Sequence, residues 1–81
     1  MYEIDIHGMN FKDACEYIKK TINECYKNRV LTIKVIHGYN NGDRIKTWVR
    51  NSKELGSSVM KVEPDFFNSG ATIINLKLKN Y

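Results

Sequence analysis

The strongest constraint on this chain is the order in which its hydrophobic period changes. Tyr2, Ile4 and Ile6 alternate with Glu3, Asp5 and His7, the period of two that a half-buried strand requires. Gly8 ends that run. Asn10 is placed to cap a helix, with Asp13 three residues later near the helix's positive end. Phe11, Ala14, Cys15, Ile18, Ile22, Cys25 and Tyr26 then recur at three- and four-residue spacing, one apolar stripe on a long helix, and Asn28 is its expected stop. Leu31, Ile33 and Val35 alternate with Thr32 and Lys34 in a second strand that ends at His37 and Gly38. A loop follows, and Asp43 is placed to cap a second helix. Ile45, Trp48 and Val49 form the apolar stripe of that helix, with Arg44, Lys46, Arg50 and Lys53 on its other side. Met60 and Val62 alternate in a third strand, Pro64 to Gly70 reads as a turn, and Ile74, Leu76 and Leu78 alternate in a fourth strand.

The order is therefore β-α-β-α-β-β. A strand-helix-strand step is parallel and right-handed, and two such steps taken in one direction put both helices on the same side of the sheet. The expected fold is an α/β (α+β) two-layer sandwich: a four-stranded mixed sheet with both helices on one face and a polar, wet face opposite. With 81 residues, the chain is expected to form one domain over residues 1–81, and as a monomer. A domain of this size buries only ~60–65 % of its unfolded surface, so chemistry is expected on an open face rather than in an enclosed cavity. Hydrophobic content of 42 % is too high for a disordered tail. No apolar run approaches the ~20 residues of a membrane span, no signal peptide precedes Tyr2, and no membrane partner is expected. Cys15 and Cys25 lie ten positions apart on one helix, roughly 15 Å by the helical rise and beyond the ~7 Å reach of a disulfide. Both fall on the apolar face as small buried hydrophobes, which fits a reducing, cytoplasmic setting.

Charge is unevenly distributed along the chain. Residues 29–54 carry Arg29, Lys34, Arg44, Lys46, Arg50 and Lys53 against Asp43 and Glu54, a surplus equal to the whole chain's formal charge of +4. Such a distribution is expected where one edge meets a polyanion. A solvated helix face would give the same pattern.

The two histidines stand in a repeated tripeptide, Ile6-His7-Gly8 and Ile36-His37-Gly38. Each ends a predicted parallel strand just before a loop entering a helix, the edge where open α/β sheets gather ligands and where helix N-termini favour anions. Asp5 and His7 are two apart on a strand, so their side chains share one face, and a carboxylate beside an imidazole can orient it for proton transfer or phosphate contact. In His37-Gly38-Tyr39-Asn40-Asn41-Gly42 the glycines permit close approach of backbone to phosphate, and Asn40 or Asn41 can adopt left-handed angles. Arg44 and Lys46 follow in the first turn of the next helix, and Arg50 lies further along it. Tyr39 is the aromatic best placed to meet a nucleotide, while Phe66 and Phe67 in the third turn either stack on bases or cover the end of the core. The P-loop, nucleophile-elbow and dinucleotide patterns are absent.

These residues carry a resemblance. From Ile4 to Leu78 the chain resembles the Smr (small MutS-related) domain family, through Ile4-Asp-Ile-His-Gly-Met9, Val35-Ile-His-Gly38 and Gly70-Ala-Thr-Ile-Ile-Asn-Leu76. The second departs from the family's H-G-x-G at Tyr39 and Asn40, and the stretch from Gly42 to Ile45 is one residue longer than the usual spacing. The resemblance implies a β-α-β-α-β-β sandwich that binds nucleic acid, either DNA or RNA, with ribosome association among the roles of the family. It also implies endonuclease activity that nicks DNA or cuts RNA, with Asp5, His7 and His37 as catalytic residues. Gly38, Tyr39, Asn40, Asn41, Gly42, Arg44, Lys46 and Arg50 are the expected nucleic-acid contacts. A divalent cation, Mg or Mn, is the one cofactor to consider, although no second carboxylate is directed at Asp5. The alternative is a non-catalytic RNA- or ribosome-binding module on the same basic face.

Overall fold

The computed structural model describes residues 1–39 and 42–79. Strand β1 (Tyr2–Asp5) leads into helix α1 (Phe11–Lys27), then strand β2 (Thr32–Ile36), helix α2 (Gly42–Arg50), a 3-10 helix at Ser52–Leu55, and strands β3 (Val59–Pro64) and β4 (Ala71–Leu76). Local chemistry explains the boundaries. Gly8 takes φ +80° in the turn that the Met9 N–H closes on the Ile6 carbonyl at 3.1 Å. Asn10 caps α1 by accepting from the Asp13 N–H at 2.8 Å, and its amide donates to the Asp13 carboxylate at 2.9 Å. At the far end Asn28 keeps φ −94°, and the left-handed residue is Arg29, φ 59°, one position beyond the expected stop.

The sheet order is β1-β2-β4-β3. Strands β1 and β2 are parallel, with Ile4 opposite Val35 and Asp5 opposite Ile36. Strand β4 inserts antiparallel between β2 and β3, pairing Val35 with Thr72 on one side and Val62 with Ile74 on the other. Ile18 and Ile22 of α1, Ile45 and Val49 of α2, and Leu55 cover one face, against Ile4, Ile6, Ile33, Val35, Ile74 and Leu76. A fully buried aliphatic side chain contributes ~1.5–3 kcal/mol, so this layer carries most of the fold's stability. Cys15 and Cys25 are buried free thiols, and removal from water pushes both thiols up.

Four apolar residues that the alternation sends inward lie outside, Tyr2 among them at the start of the edge strand β1. Met60 is exposed because β3 carries an irregularity between Val59 and Lys61, which shifts the inward positions to Val59 and Val62. Leu31 and Leu78 fall beyond the ends of β2 and β4 and are exposed. Trp48 packs rather than stacking on a ligand: its ring meets Phe11 edge-on at 6.4 Å and 83°, and its indole N–H donates to Glu54. No helix among the described residues is long and apolar enough to cross a membrane.

Candidate functional site

The parallel pairing of β1 and β2 sets their carboxyl ends side by side. The Ile6 N–H donates to the Ile36 carbonyl at 2.9 Å, extending the ladder one residue past β1. A Cβ placed on Gly38 would sit 3.4 Å from the His7 Cβ, so the two His-Gly tripeptides meet in space. Gly38 takes φ +83°, which a side chain resists. The Gly70 carbonyl closes the arrangement, accepting from the His37 and Gly38 N–H groups at 2.9 and 3.0 Å. The turn between β3 and β4 is thereby fastened to the end of β2. Tyr39 ties the same turn down, its hydroxyl donating to Asn68 Oδ1 at 3.2 Å while the Gly70 N–H donates to that oxygen at 2.9 Å.

Asp5 and His7 form a pair on the open rim. His7 Nδ1 lies 2.5 Å from Asp5 Oδ1, and the His7 backbone N–H donates to the same oxygen at 3.1 Å. Both side chains are half or more exposed. The side-chain bond to His7, helped by the backbone bond and the imidazole's charge, lowers the Asp5 carboxyl below its ordinary 3.8. An ionised Asp5 accepts from Nδ1–H, which leaves Nε2 of the neutral ring as an acceptor. Nearby, the Arg44 guanidinium lies 3.8 Å over the Phe11 ring, so the first turns of α1 and α2 are stacked together beside the rim.

His37 is placed otherwise than the sequence suggests. The expectation puts both imidazoles on one open rim, yet His37 is 5 % exposed and lies on the helix-covered side with Ile33 and Val35. Its Nδ1–H donates to the Gly38 carbonyl at 3.1 Å, and in the neutral ring Nε2 accepts from the Thr72 hydroxyl at 2.9 Å. The cause is parity, since the side chains of residues 33, 35 and 37 fall on one side of the strand. His37 therefore shapes the Gly38 turn from beneath. The residues holding it, Thr72 and Gly70, were visible only as letters of the closing strand motif, and Asn68 carried no signal.

The basic surplus also divides in space. Arg44 stands at the rim, and Lys46 is half-buried in the same turn of α2. Arg50 closes α2, roughly 9 Å along the helix from Arg44 by the helical rise, and Arg29 lies beyond the far end of α1. Lys34 sits on the open face of the sheet, 3.2 Å from Asp65 and 3.9 Å from Glu3. Asn40 and Asn41 lie outside the described residues. Gly42 opens α2. Among the described residues no three His, Cys, Asp or Glu side chains gather as metal ligands. Asp5 and His7 are two donors and not a cage; a divalent ion there would draw its remaining ligands from phosphate oxygens and water.

Comparison with known proteins gives one consistent answer. The Smr domain family model matches residues 4–77. Among solved structures, the crystal structure of the Smr domain of Thermus thermophilus MutS2 superposes with a TM-score of 0.82, covering 95 % of this chain and 99 % of that one at 18 % identity. No curated protein matches by sequence. At that identity the superposition speaks for the fold alone. The family match, running from the first buried residue of β1 to the residue after β4, settles the kinship: this chain belongs to the Smr domain family.

Proposed function

We propose that this domain binds the sugar-phosphate backbone of nucleic acid at the rim formed by β1, β2 and the starts of the two helices, and cuts it there. The observation that carries the reading is the exposed Asp5–His7 contact, set where strand ends and helix N-termini favour an anion. Asp5 holds Nδ1–H, so Nε2 of His7 faces outward as a proton acceptor. It takes a proton from the attacking hydroxyl, of water or of a ribose, as the new P–O bond forms. The departing oxygen takes its proton from solvent or from the imidazolium as the old P–O bond breaks. In this reading Arg44 meets the phosphate oxygens, and Gly38, without a side chain, lets the backbone of the nucleic acid come close to His7. His37 acts through the turn it supports and is a positioning residue in this reading.

The burial of His37 favours a second reading, because it leaves one imidazole for proton transfer. The rim then binds RNA or a ribosomal surface without cutting. Supercoiled plasmid and structured RNA, incubated with the protein and with His7→Ala, separate the two. General acid–base catalysis contributes typically ~10²–10⁴-fold, and His7→Ala should lose on that order. Equal cleavage by both proteins removes the catalytic reading. No cleavage by either, with binding whose log affinity falls linearly with log salt, selects the second. Parallel reactions with EDTA, Mg and Mn report whether an ion joins the Asp5–His7 pair.

A further inference from the structure

Phe66 and Phe67, in the turn between β3 and β4, are 84 % and 101 % exposed, so they cover no part of the core. They are nevertheless held in place. Asp65 accepts from the Phe67 N–H at 2.9 Å and, through its backbone carbonyl, from the Asn68 N–H at 3.2 Å. Its carboxylate meets the Lys34 ammonium at 3.2 Å, and these contacts hold the carboxyl below its ordinary value, the Phe67 N–H foremost. The two rings stand over a groove of about 440 Å³ on the open face of the sheet, floored by Thr32, Lys34, Ile73 and Asn75. Asp5 and His7 project from the same face, since Glu3 pairs with Lys34 across β1 and β2 and Asp5 follows Glu3 by two. From β1 to β4 is two strand spacings, roughly 10 Å.

We infer that Phe66 and Phe67 stack on unpaired bases of a single-stranded segment running from the Asp5–His7 rim across the open face. The inference rests on the proposed nucleic-acid reading and narrows it to a class of substrate. Three exposed aromatics, Tyr39, Phe66 and Phe67, are carried by the rim and by the turn hydrogen-bonded to it. Beside the groove under Phe66 and Phe67, two lysines of the open face are already paired: Lys34 with Glu3 and Asp65, and Lys61 with Glu63 at 3.2 Å. What the groove offers is two phenyl rings beside the Ile73 and Pro64 side chains, with Thr32 and Asn75 able to hydrogen-bond base edges, which suits bases, with the backbone held at the rim. Bases inside a duplex keep their faces covered by their neighbours; unpaired ones do not.

The test is fluorescence anisotropy with a short single-stranded DNA, its RNA counterpart and the matching DNA duplex, using wild type and the double variant Phe66→Ala/Phe67→Ala. Both positions are exposed, so the variant should keep the wild-type far-UV spectrum. Its affinity for the single strands should fall roughly 10-fold or more, with the duplex changed by less than about 2-fold, and Phe66→Trp/Phe67→Trp should retain wild-type binding. A loss confined to DNA or to RNA names the preferred strand. Unchanged single-strand binding, or equal losses on single strand and duplex, overturns the inference. Arg44→Ala serves as the control for the rim: if it weakens binding while the phenylalanine variant does not, the rim reading stands and this one falls. A wild type that binds none of the three probes overturns both.

Discussion

Replacing Thr72 by Val tests whether His37 belongs to the scaffold. The substitution keeps the branched shape and removes the hydroxyl 2.9 Å from His37 Nε2, at a residue with no solvent exposure. A typical internal hydrogen bond contributes ~0.5–1.5 kcal/mol net, and leaving a buried polar group short of its partner costs ~1–3 kcal/mol. The expected loss is thus about 2 kcal/mol. Against the ~4–12 kcal/mol that a domain of this length commands, that is a large fraction, equivalent to a Tm drop of roughly 8–16 °C. Chemical denaturation followed by Trp48 fluorescence, with an unchanged m-value, measures it directly. In a His37→Leu background the same Thr72→Val change should cost little, because both polar partners are then gone. The reasoning is refuted if Thr72→Val unfolds within about 0.5 kcal/mol of wild type. It is equally refuted if the loss is the same in both backgrounds, which would trace it to packing rather than to the imidazole.

The remaining predictions concern the rim and the third strand. Gly38→Ala should cost about 1–2 kcal/mol from its left-handed backbone, and should weaken nucleic-acid binding through the displaced turn; thermal melts beside a binding titration check both, and an unaltered Tm would contradict the geometry. Asp5 has a depressed folded pKa, so whatever its ionised form contributes is present above 3.8 and lost as pH falls through the lower folded value. A pH titration of Asp5 by carboxyl NMR should therefore show its midpoint below 3.8, moving up toward that value in His7→Ala. Met60→Ser should change stability by less than about 0.5 kcal/mol, whereas Val62→Ala should cost more than about 1 kcal/mol. A comparable loss at both positions would restore the simple alternation of β3, which puts Met60 and Val62 on one face.

Much of the candidate site was legible because its residues act close to home. Asp5 and His7 are two apart on a strand, and the strand period alone brings them together. The meeting of Gly38 with His7 follows from a parallel β-α-β step, which the hydrophobic stripes already required. His37 was misplaced because a strand's end was read by its loop rather than by its parity. The alternation of Ile33 and Val35, carried two residues further, points the imidazole inward. The basic stretch misled for a related reason. Neighbours in sequence fall at opposite ends of the sheet once α1 and α2 run antiparallel to the strands, so Arg29 and Arg44 never share an edge.

By itself the sequence determined the kinds of element, their order, the buried stripe of α1, the Asn10 cap and the Asp5–His7 pair, since each is set by contacts within a few residues. Tertiary structure alone decided that β4 slides between β2 and β3, that Gly70 receives two N–H groups from the end of β2, and that Phe66 and Phe67 stand out over the open face. Periodicity records which side of an element is apolar, but not which strand will be its neighbour. That choice rests on the joint packing of the sheet under both helices, a property that no local stretch of residues possesses.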